Sequence, residues 1–398
     1  MSDMSFLERL LDGVTVEWKP LGKALARTKG TKITAGQMKE MHKEDAPLKI
    51  FAGGKTIAFV DFEDIPEKDI NREPSIIVKS RGFIEFDYYD KPFSHKNEMW
   101  SYHSKDENIN IKFVYYFLKI NESYFQNLGS KMQMPQIATP DTDKFQIPIP
   151  PLKIQAEIVR ILDTFTELTA ELTAELTARQ KQYEYYRDQL LTFGDEVPVM
   201  QLSYCCVSIA DGDHQAPPQT NTGIPFITIS NVSNSYQIDF TNTKFVSEAY
   251  YSELDDKRKA RKNDILYTVV GSFGIPVFIN DNRKFTFQRH IAILRSNGNV
   301  IIPKYLYHVL RSSDFLKQAH AVAVGAAQKT ITLTALNRMK VPVPSLEEQA
   351  RIVAILDKFD TLTNSISEGL PREIALRQQQ YEYYRDLLLS FPKAEEEQ

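Results

Sequence analysis

IPIPPLKIQAEIVRILDTFTELT (147–169) returns position by position as VPVPSLEEQARIVAILDKFDTLT (341–363). Pro148, Pro150, Leu152, Gln155, Ile158, Val159, Ile161, Leu162, Asp163 and Phe165 all recur at a constant offset of 194. Downstream, QYEYYRD (182–188) returns unchanged at 380–386, now at an offset of 198. The second copy is therefore four residues longer between its landmarks, the length of one TAEL word. That word occurs twice in the first copy, as TAELTAEL (169–176), after a truncated Thr166-Glu167-Leu168. Internal repetition on this scale governs the reading of the whole chain.

Both copies are predicted to be long helices. The proline pairs close an extended entry, because the residue before a proline is pushed out of the helical region. Ile158, Ile161, Phe165, Leu168, Leu172 and Leu176 then recur at spacings of three and four, one apolar stripe. Ala, Glu and Leu are strong helix formers, so the TAEL words extend the helix, with ~60 Å of rise from Leu152 to Phe193. In the second copy Pro371 predicts a break, with the proline in the first turn of a restarted helix. A single helix cannot bury such a stripe. Two copies in one chain can pair as an antiparallel coiled coil, and their high effective concentration favours this over an arm that pairs with another molecule.

Two globular segments fill the remaining sequence, giving a globule (1–146), a helical spacer (147–196), a second globule (197–340) and a second spacer (341–398). The globules are weakly similar: KFVYYFL (112–118) echoes KYLYHVL (304–310) ahead of each Pro-x-Pro. Runs such as IPFITI (224–229), DILYTVV (264–270) and PSIIV (74–78) are short, β-branched and bounded by turn formers. The expected fold class is α+β, with two strand-rich domains alternating with two long helices in a pseudo-twofold chain.

Composition excludes several classes. A chain of 398 residues with 42% hydrophobic and 25% charged content is that of a soluble, multidomain protein. No apolar run reaches 18 residues, and the start of the chain does not read as a signal peptide. The only cysteines, Cys205 and Cys206, are adjacent and are expected to be reduced in a cytoplasmic protein. A net charge of −4 still permits nucleic-acid binding through a local basic face. AGGKT (52–56) fails as a phosphate loop, since Lys49 stands where its first glycine belongs and IAFV (57–60) reads as strand. No dinucleotide fingerprint, metal-ligand histidine spacing or serine-hydrolase elbow is found. These absences point to a binding protein rather than an enzyme.

The twinned Pro-x-Pro…Leu-x-x-Gln-x-x-Ile-Val-x-Ile-Leu-Asp segments, the twinned QYEYYRD, GAAQKTITLTALNRMKVPVP (325–344) and DGDHQAPP (211–218) together resemble specificity subunits of type I restriction–modification enzymes, over essentially the full length. The TAEL repetition resembles the IC subgroup. The resemblance implies that the globules are target recognition domains, each reading half of a split double-stranded DNA target. It implies two methyltransferase and two restriction subunits as partners. S-adenosylmethionine, ATP and magnesium would then belong to those partners, with no cofactor and no catalysis in this chain. The rival reading is a coiled-coil adaptor whose globules bind protein, but an adaptor has no need to diverge two domains while keeping both helices nearly fixed.

Phosphate contacts need cations, and base reading needs polar side chains at a groove. In the first domain the candidates are Lys55 and Thr56; Lys79, Ser80 and Arg81, followed by Gly82; Ser94, His95 and Lys96; and Lys131 with Gln133. In the second they are His214 and Gln215 in a turn; the basic run Lys257, Arg258, Lys259, Arg261 and Lys262; Ser272 and Phe273 between two glycines; Gln288 and Arg289; and Gln328, Lys329 and Thr330. Gly82 is expected to hold the place in the first domain that Gly271–Gly274 holds in the second. Tyr88, Tyr89, Tyr115, Tyr116 and Phe117 are expected in the core rather than stacked on bases. The QYEYYRD words are candidates for helix packing or partner docking.

Overall fold

The computed structural model describes residues 6–11, 13–130, 134–212, 216–232, 236–326, 328–365 and 367–392. The chain forms two compact units. One runs to Ala170 and takes in the chain from Leu376; the other spans Glu171–Ala375. Each unit therefore draws on both helical copies.

In the first unit the strands are β1 (Glu17–Pro20), β2 (Leu25–Thr28), β3 (Leu48–Phe51), β4 (Ile57–Val60), β5 (Ser75–Lys79), β6 (Glu85–Tyr89), β7 (Phe93–His95), β8 (Trp100–Ser104) and β9 (Gln146–Ile149). They form a ribbon β1-β9, a four-stranded sheet β2-β8-β5-β6 and a three-stranded sheet β4-β3-β7. β3 and β7 run parallel, while the other pairs are antiparallel. Helix α1 (Ile111–Ile120) starts at Asn110, whose side chain accepts from the amides of Lys112 and Phe113. Its buried face, with Phe113, Val114 and Phe117, joins Ile76, Val78, Phe86 and Tyr102 from the large sheet.

The second unit repeats this plan. Its strands are β10 (Val199–Gln201), β11 (Cys206–Asp211), β12 (Ile224–Ile227), β13 (Lys244–Val246), β14 (Ile265–Thr268), β15 (Pro276–Phe278), β16 (Thr286–Phe287), β17 (Ile291–Ser296) and β18 (Lys340–Pro342). The sheets are a ribbon β10-β18, a four-stranded β11-β17-β14-β15 and a three-stranded β13-β12-β16, again with one parallel pair, β12 and β16. What reads in sequence as weak similarity is the same sheet order twice. Cys205 is buried and Cys206 half-buried, both as free thiols.

Helix α2 (Leu152–Leu190) is continuous for 39 residues, ~58 Å of rise. In its TAEL stretch Leu168, Leu172 and Leu176 are half-buried, while the Thr, Ala and Glu positions of 170–175 are exposed apart from Leu172. The second copy is broken into α4 (Leu346–Asn364) and α5 (Gly369–Leu388), with α3 (Pro303–Leu310) ahead of them as the counterpart of α1. Pro371 is the third residue of α5, so the break lies just before it. In the first unit Phe165 of α2 stacks on Tyr384 of α5, centroids 5.5 Å apart. In the second, Tyr186 of α2 stacks on Phe359 of α4 at 5.7 Å. Among the described residues no helix is long and apolar enough to cross a membrane.

Candidate nucleic-acid interface

The repeated Gln and Asp anchor each domain to its helix. Gln155 is fully buried; its Nε2 donates to the carbonyls of Asn108 (2.9 Å) and Pro150 (2.6 Å), and its Oε1 accepts from the Asn110 amide (2.8 Å). Gln349, equally buried, donates to the carbonyls of Val300 (3.1 Å) and Pro344 (2.9 Å) and accepts from the Ile302 amide (2.8 Å). One amide thus satisfies three backbone groups that would otherwise be buried unpaired, at roughly 1–3 kcal/mol each. About two turns further along α2, Lys112 (2.7 Å) and Tyr116 (2.5 Å) of α1 both donate to Asp163. In the second unit Lys304 lies 3.6 Å from Asp357, and His308 Nε2 donates to it at 2.8 Å. With that proton on Nε2, His308 Nδ1 accepts from Tyr183 of the QYEYYRD word (3.1 Å). These clasps explain why Gln and Asp recur in the twinned segments and why KFVYYFL echoes KYLYHVL.

Hydrogen bonds also define an equivalent loop end in each domain. Gly82 N–H donates to Pro135 (2.9 Å) and Gly271 N–H to Lys329 (3.0 Å), and both glycines have positive φ, 75° and 73°. Ile137 N–H donates to Ser80 (3.0 Å) as Ile331 N–H donates to Val269 (2.8 Å). Lys96 N–H donates to Phe51 (2.9 Å) as Gln288 N–H donates to Ile227 (3.0 Å). The loop 271–274 thus matches the loop at Gly82. In the second domain this end gathers exposed Ser272, half-buried Phe273 against His320, Gln288 and exposed Arg289, with Gln328, Lys329 and Thr330 alongside. Gln288 Nε2 donates to His290 Nδ1 (2.8 Å). In the first domain it gathers exposed Arg81, Lys96, and the β3–β4 hairpin tip with exposed Lys55 and Thr56. Lys96 is paired with Glu98 at 2.7 Å.

Four of the first domain's candidates belong to its interior instead. Lys79 is buried and gripped by Glu85 (2.6 Å) and Asp87 (2.8 Å); against the cost of burial, those hydrogen bonds hold its ammonium above the usual lysine value. Ser80 donates to the Glu98 carbonyl and Ser94 to that of Asp69, both at 2.7 Å. His95 is fully buried beside Thr28 and Ser101, and burial pushes its imidazole below the usual value. All four are held by internal partners rather than presented to solvent. In the second domain the basic run is largely neutralised: Lys257 meets Asp255 (3.3 Å), Arg258 faces Asp211 (3.8 Å), Arg261 meets Asp256 (2.9 Å), and Lys259 donates to the Ser252 carbonyl (2.9 Å). Lys262 is exposed. Lys131, Gln133, His214 and Gln215 lie outside the described residues. Of the aromatics expected in the core, Tyr116 and Phe117 are buried, while Tyr88, Tyr89 and Tyr115 are half-buried, with Tyr115 against the same core.

A family model described as the type I restriction modification DNA specificity domain matches residues 33–179 and 214–376. The chain belongs to the type I restriction–modification specificity subunits. It is 38% identical to the EcoR124I/EcoR124II specificity subunit of Escherichia coli, over 99% of each chain. It is 30% identical to the EcoprrI specificity subunit of Escherichia coli, covering 92% of this chain and 93% of that one. Its fold is similar to that of the type I restriction–modification S subunit from M. genitalium, with a TM-score of 0.60 at 18% identity, over 96% and 98% of the two chains. The role of this specificity subunit is to supply DNA sequence recognition within a type I restriction–modification system. The family model covers most of both globular segments and runs on into both helical copies.

Proposed function

We propose that each sheet-bearing domain reads one half of a split, asymmetric duplex target, and that the helical copies pair along their length, set the unread spacer and dock two methyltransferase subunits. The observation that carries this is one hydrogen-bonded frame built twice, with different residues at the two loop ends: Arg81, Lys55 and Thr56 against Ser272, Gln288 and Arg289. Identical frames with unlike readers favour unlike half-sites. The identical QYEYYRD words support two copies of one partner, because Tyr185 and Tyr383, at matching positions, are 60% and 65% exposed. Two restriction subunits complete the complex in the cytoplasm. S-adenosylmethionine, ATP and magnesium act on the partner subunits, this chain is non-catalytic, and the TAEL words support the IC-like subgroup.

The test is to purify the chain with its methyltransferase partner and map methylated adenines on random-sequence DNA. Two unlike half-sites at a fixed separation are expected, and the chain alone should transfer no labelled methyl group. A continuous motif, or methylation indifferent to sequence, would overturn the reading.

A further inference from the structure

The chain leaving β11 at Gly212 has a first-domain counterpart that carries no local sequence signature. A side chain added at Gly212 would fall on the Phe287 and Gln288 carbonyls. One added at Gly30 would fall on the His95 and Lys96 carbonyls. These are the same strand end in the two domains, because Phe287 pairs with Ile227 in parallel as His95 pairs with Phe51. Each glycine lets the chain leaving the first strand of the large sheet press against that strand end. In the first domain the segment so placed is Lys29-Gly30-Thr31-Lys32.

Beside it lies an open groove of about 520 Å³, lined by Lys29, Lys32, Lys68 and Asn97 among others, with Asp64 and Asp69 also in its lining. Lys29, Lys32, Lys68 and Asn97 are all exposed. Lys43 is shared between Asp61 and Asp64, 3.6 Å from the latter, so three lysines stand with Asp64 and Asp69 among the described lining residues. The carbonyls of Gly30 and Thr31 assign the Asn97 amide: with its nitrogen turned toward them it donates to both, at 2.7 Å and 3.1 Å. Its Oδ1 is left as an acceptor. A carbonyl oxygen so held can accept from a base amino group, the N6 of adenine or the N4 of cytosine, both presented in the major groove.

We propose that this groove is a DNA-contacting site of the first domain, with Lys29, Lys32 and Lys68 on backbone phosphates and Asn97 reading one base amino group. The assignment rests on the split-target reading above and adds the residues by which the first half is held. Lysines on phosphates supply affinity and salt dependence without sequence information, whereas a fixed acceptor supplies discrimination.

The experiment uses the full chain with its methyltransferase partner and separates the two roles. The K29Q/K32Q/K68Q variant should weaken binding to target and random duplex alike. It should also flatten the slope of log affinity against log salt by roughly two to three. Asn97→Ala should lose discrimination at one base pair of one half-site by about tenfold or more, leaving the other half-site intact. Gln288→Ala, in the second domain, should alter only the other half. Because the three lysines are exposed, the triple variant should melt as wild type does, whereas Asn97→Ala gives up its bonds to the Gly30 and Thr31 carbonyls, so its methylation motif is read below its own melting temperature. An unchanged salt slope together with an unchanged methylation motif, while the wild type reads a split target, would overturn the groove assignment alone. A wild-type complex indifferent to sequence would overturn the split-target reading and the groove with it.

Discussion

His308 and Tyr116 hold the same station in their two domains, each donating to the repeated aspartate, but a histidine's ordinary value lies near neutrality and a tyrosine's far above it. Burial pushes the His308 imidazole below its usual value, against the pull of Asp357 and Asp360 and with Arg311 opposing protonation. Tyr183 and Lys304 complete its surroundings. The neutral ring is the form that fits, donating at Nε2 and accepting at Nδ1. Its folded-state pKa is therefore depressed, so the unfolded chain binds more protons as pH falls through about 6.5. The stability it contributes is present above that pH and is lost on acidification towards the folded pKa. Asp357, which its hydrogen bond from His308 holds below the usual carboxylate range despite burial, loses its contribution in the same direction at lower pH. His308→Tyr, which installs the first domain's residue, should reduce the loss of melting temperature between pH 7 and pH 5. Thermal melts across that range check it, and an unaltered slope would place the acid sensitivity at another group. His95, also buried with a lowered pKa, keeps the wild-type background from being flat.

At the scale of elements, the break between α4 and α5 tests how the second helical copy is terminated. Ser365 N–H closes α4 on the Thr361 carbonyl (3.3 Å), and Gly369 has φ +77° with its Cα facing the carbonyls of Thr361 and Leu362. Only glycine enters that conformation without cost, and a Cβ there would strike backbone oxygens. Gly369→Ala should therefore destabilise the second unit by about 1–2 kcal/mol, read as a lowered urea midpoint with an unchanged slope. Pro371 signalled this break in sequence because proline acts locally, through its own φ and missing N–H. The helices, their repetition and the echo between α1 and α3 were legible for the same reason: their signals sit within a few turns. The sheet order was not, since β3 pairs with β7 across some forty residues and nothing local records it. The same limit explains the candidates whose partners the sequence did not show. SHK (94–96) looks like a polar loop, yet β7 is buried on both faces and its Ser and His are satisfied internally. The basic run 257–262 looks like a phosphate-binding patch until Asp211, distant in sequence, is placed opposite Arg258. Lys29, Lys32, Lys68 and Asn97 come together only through the fold.

For the whole molecule, the TAEL words connect helix geometry to the DNA target. A four-residue word adds ~6 Å of rise and turns the helix by about 400°, so a stripe leaves and returns nearly in phase. Leu168, Leu172 and Leu176 are that stripe, half-buried while Ala170, Glu171 and 173–175 face solvent. Three residues would turn the helix by about 300° and five by about 500°, carrying every later side chain, including Tyr183 and Tyr186, away from the partners they now touch. Duplex DNA advances ~3.4 Å per base pair along each strand. If the helical copies set the separation of the two readers, one added TAEL after Leu176 should lengthen the unread spacer by about one or two base pairs. Both half-sites should stay as they are, because no residue at either loop end is touched. Insertion of Ala-Glu-Leu at the same point should instead lower the melting temperature and the yield of methylating complex, since it breaks the Tyr183–His308 and Tyr186–Phe359 contacts. Sequencing methylated sites for the wild type and both insertions decides the matter. A spacer that ignores the four-residue insertion would reduce TAELTAEL to filler in a solvated helix; one that follows it, while the three-residue insertion fails, would make helix phase the reason for a four-letter word.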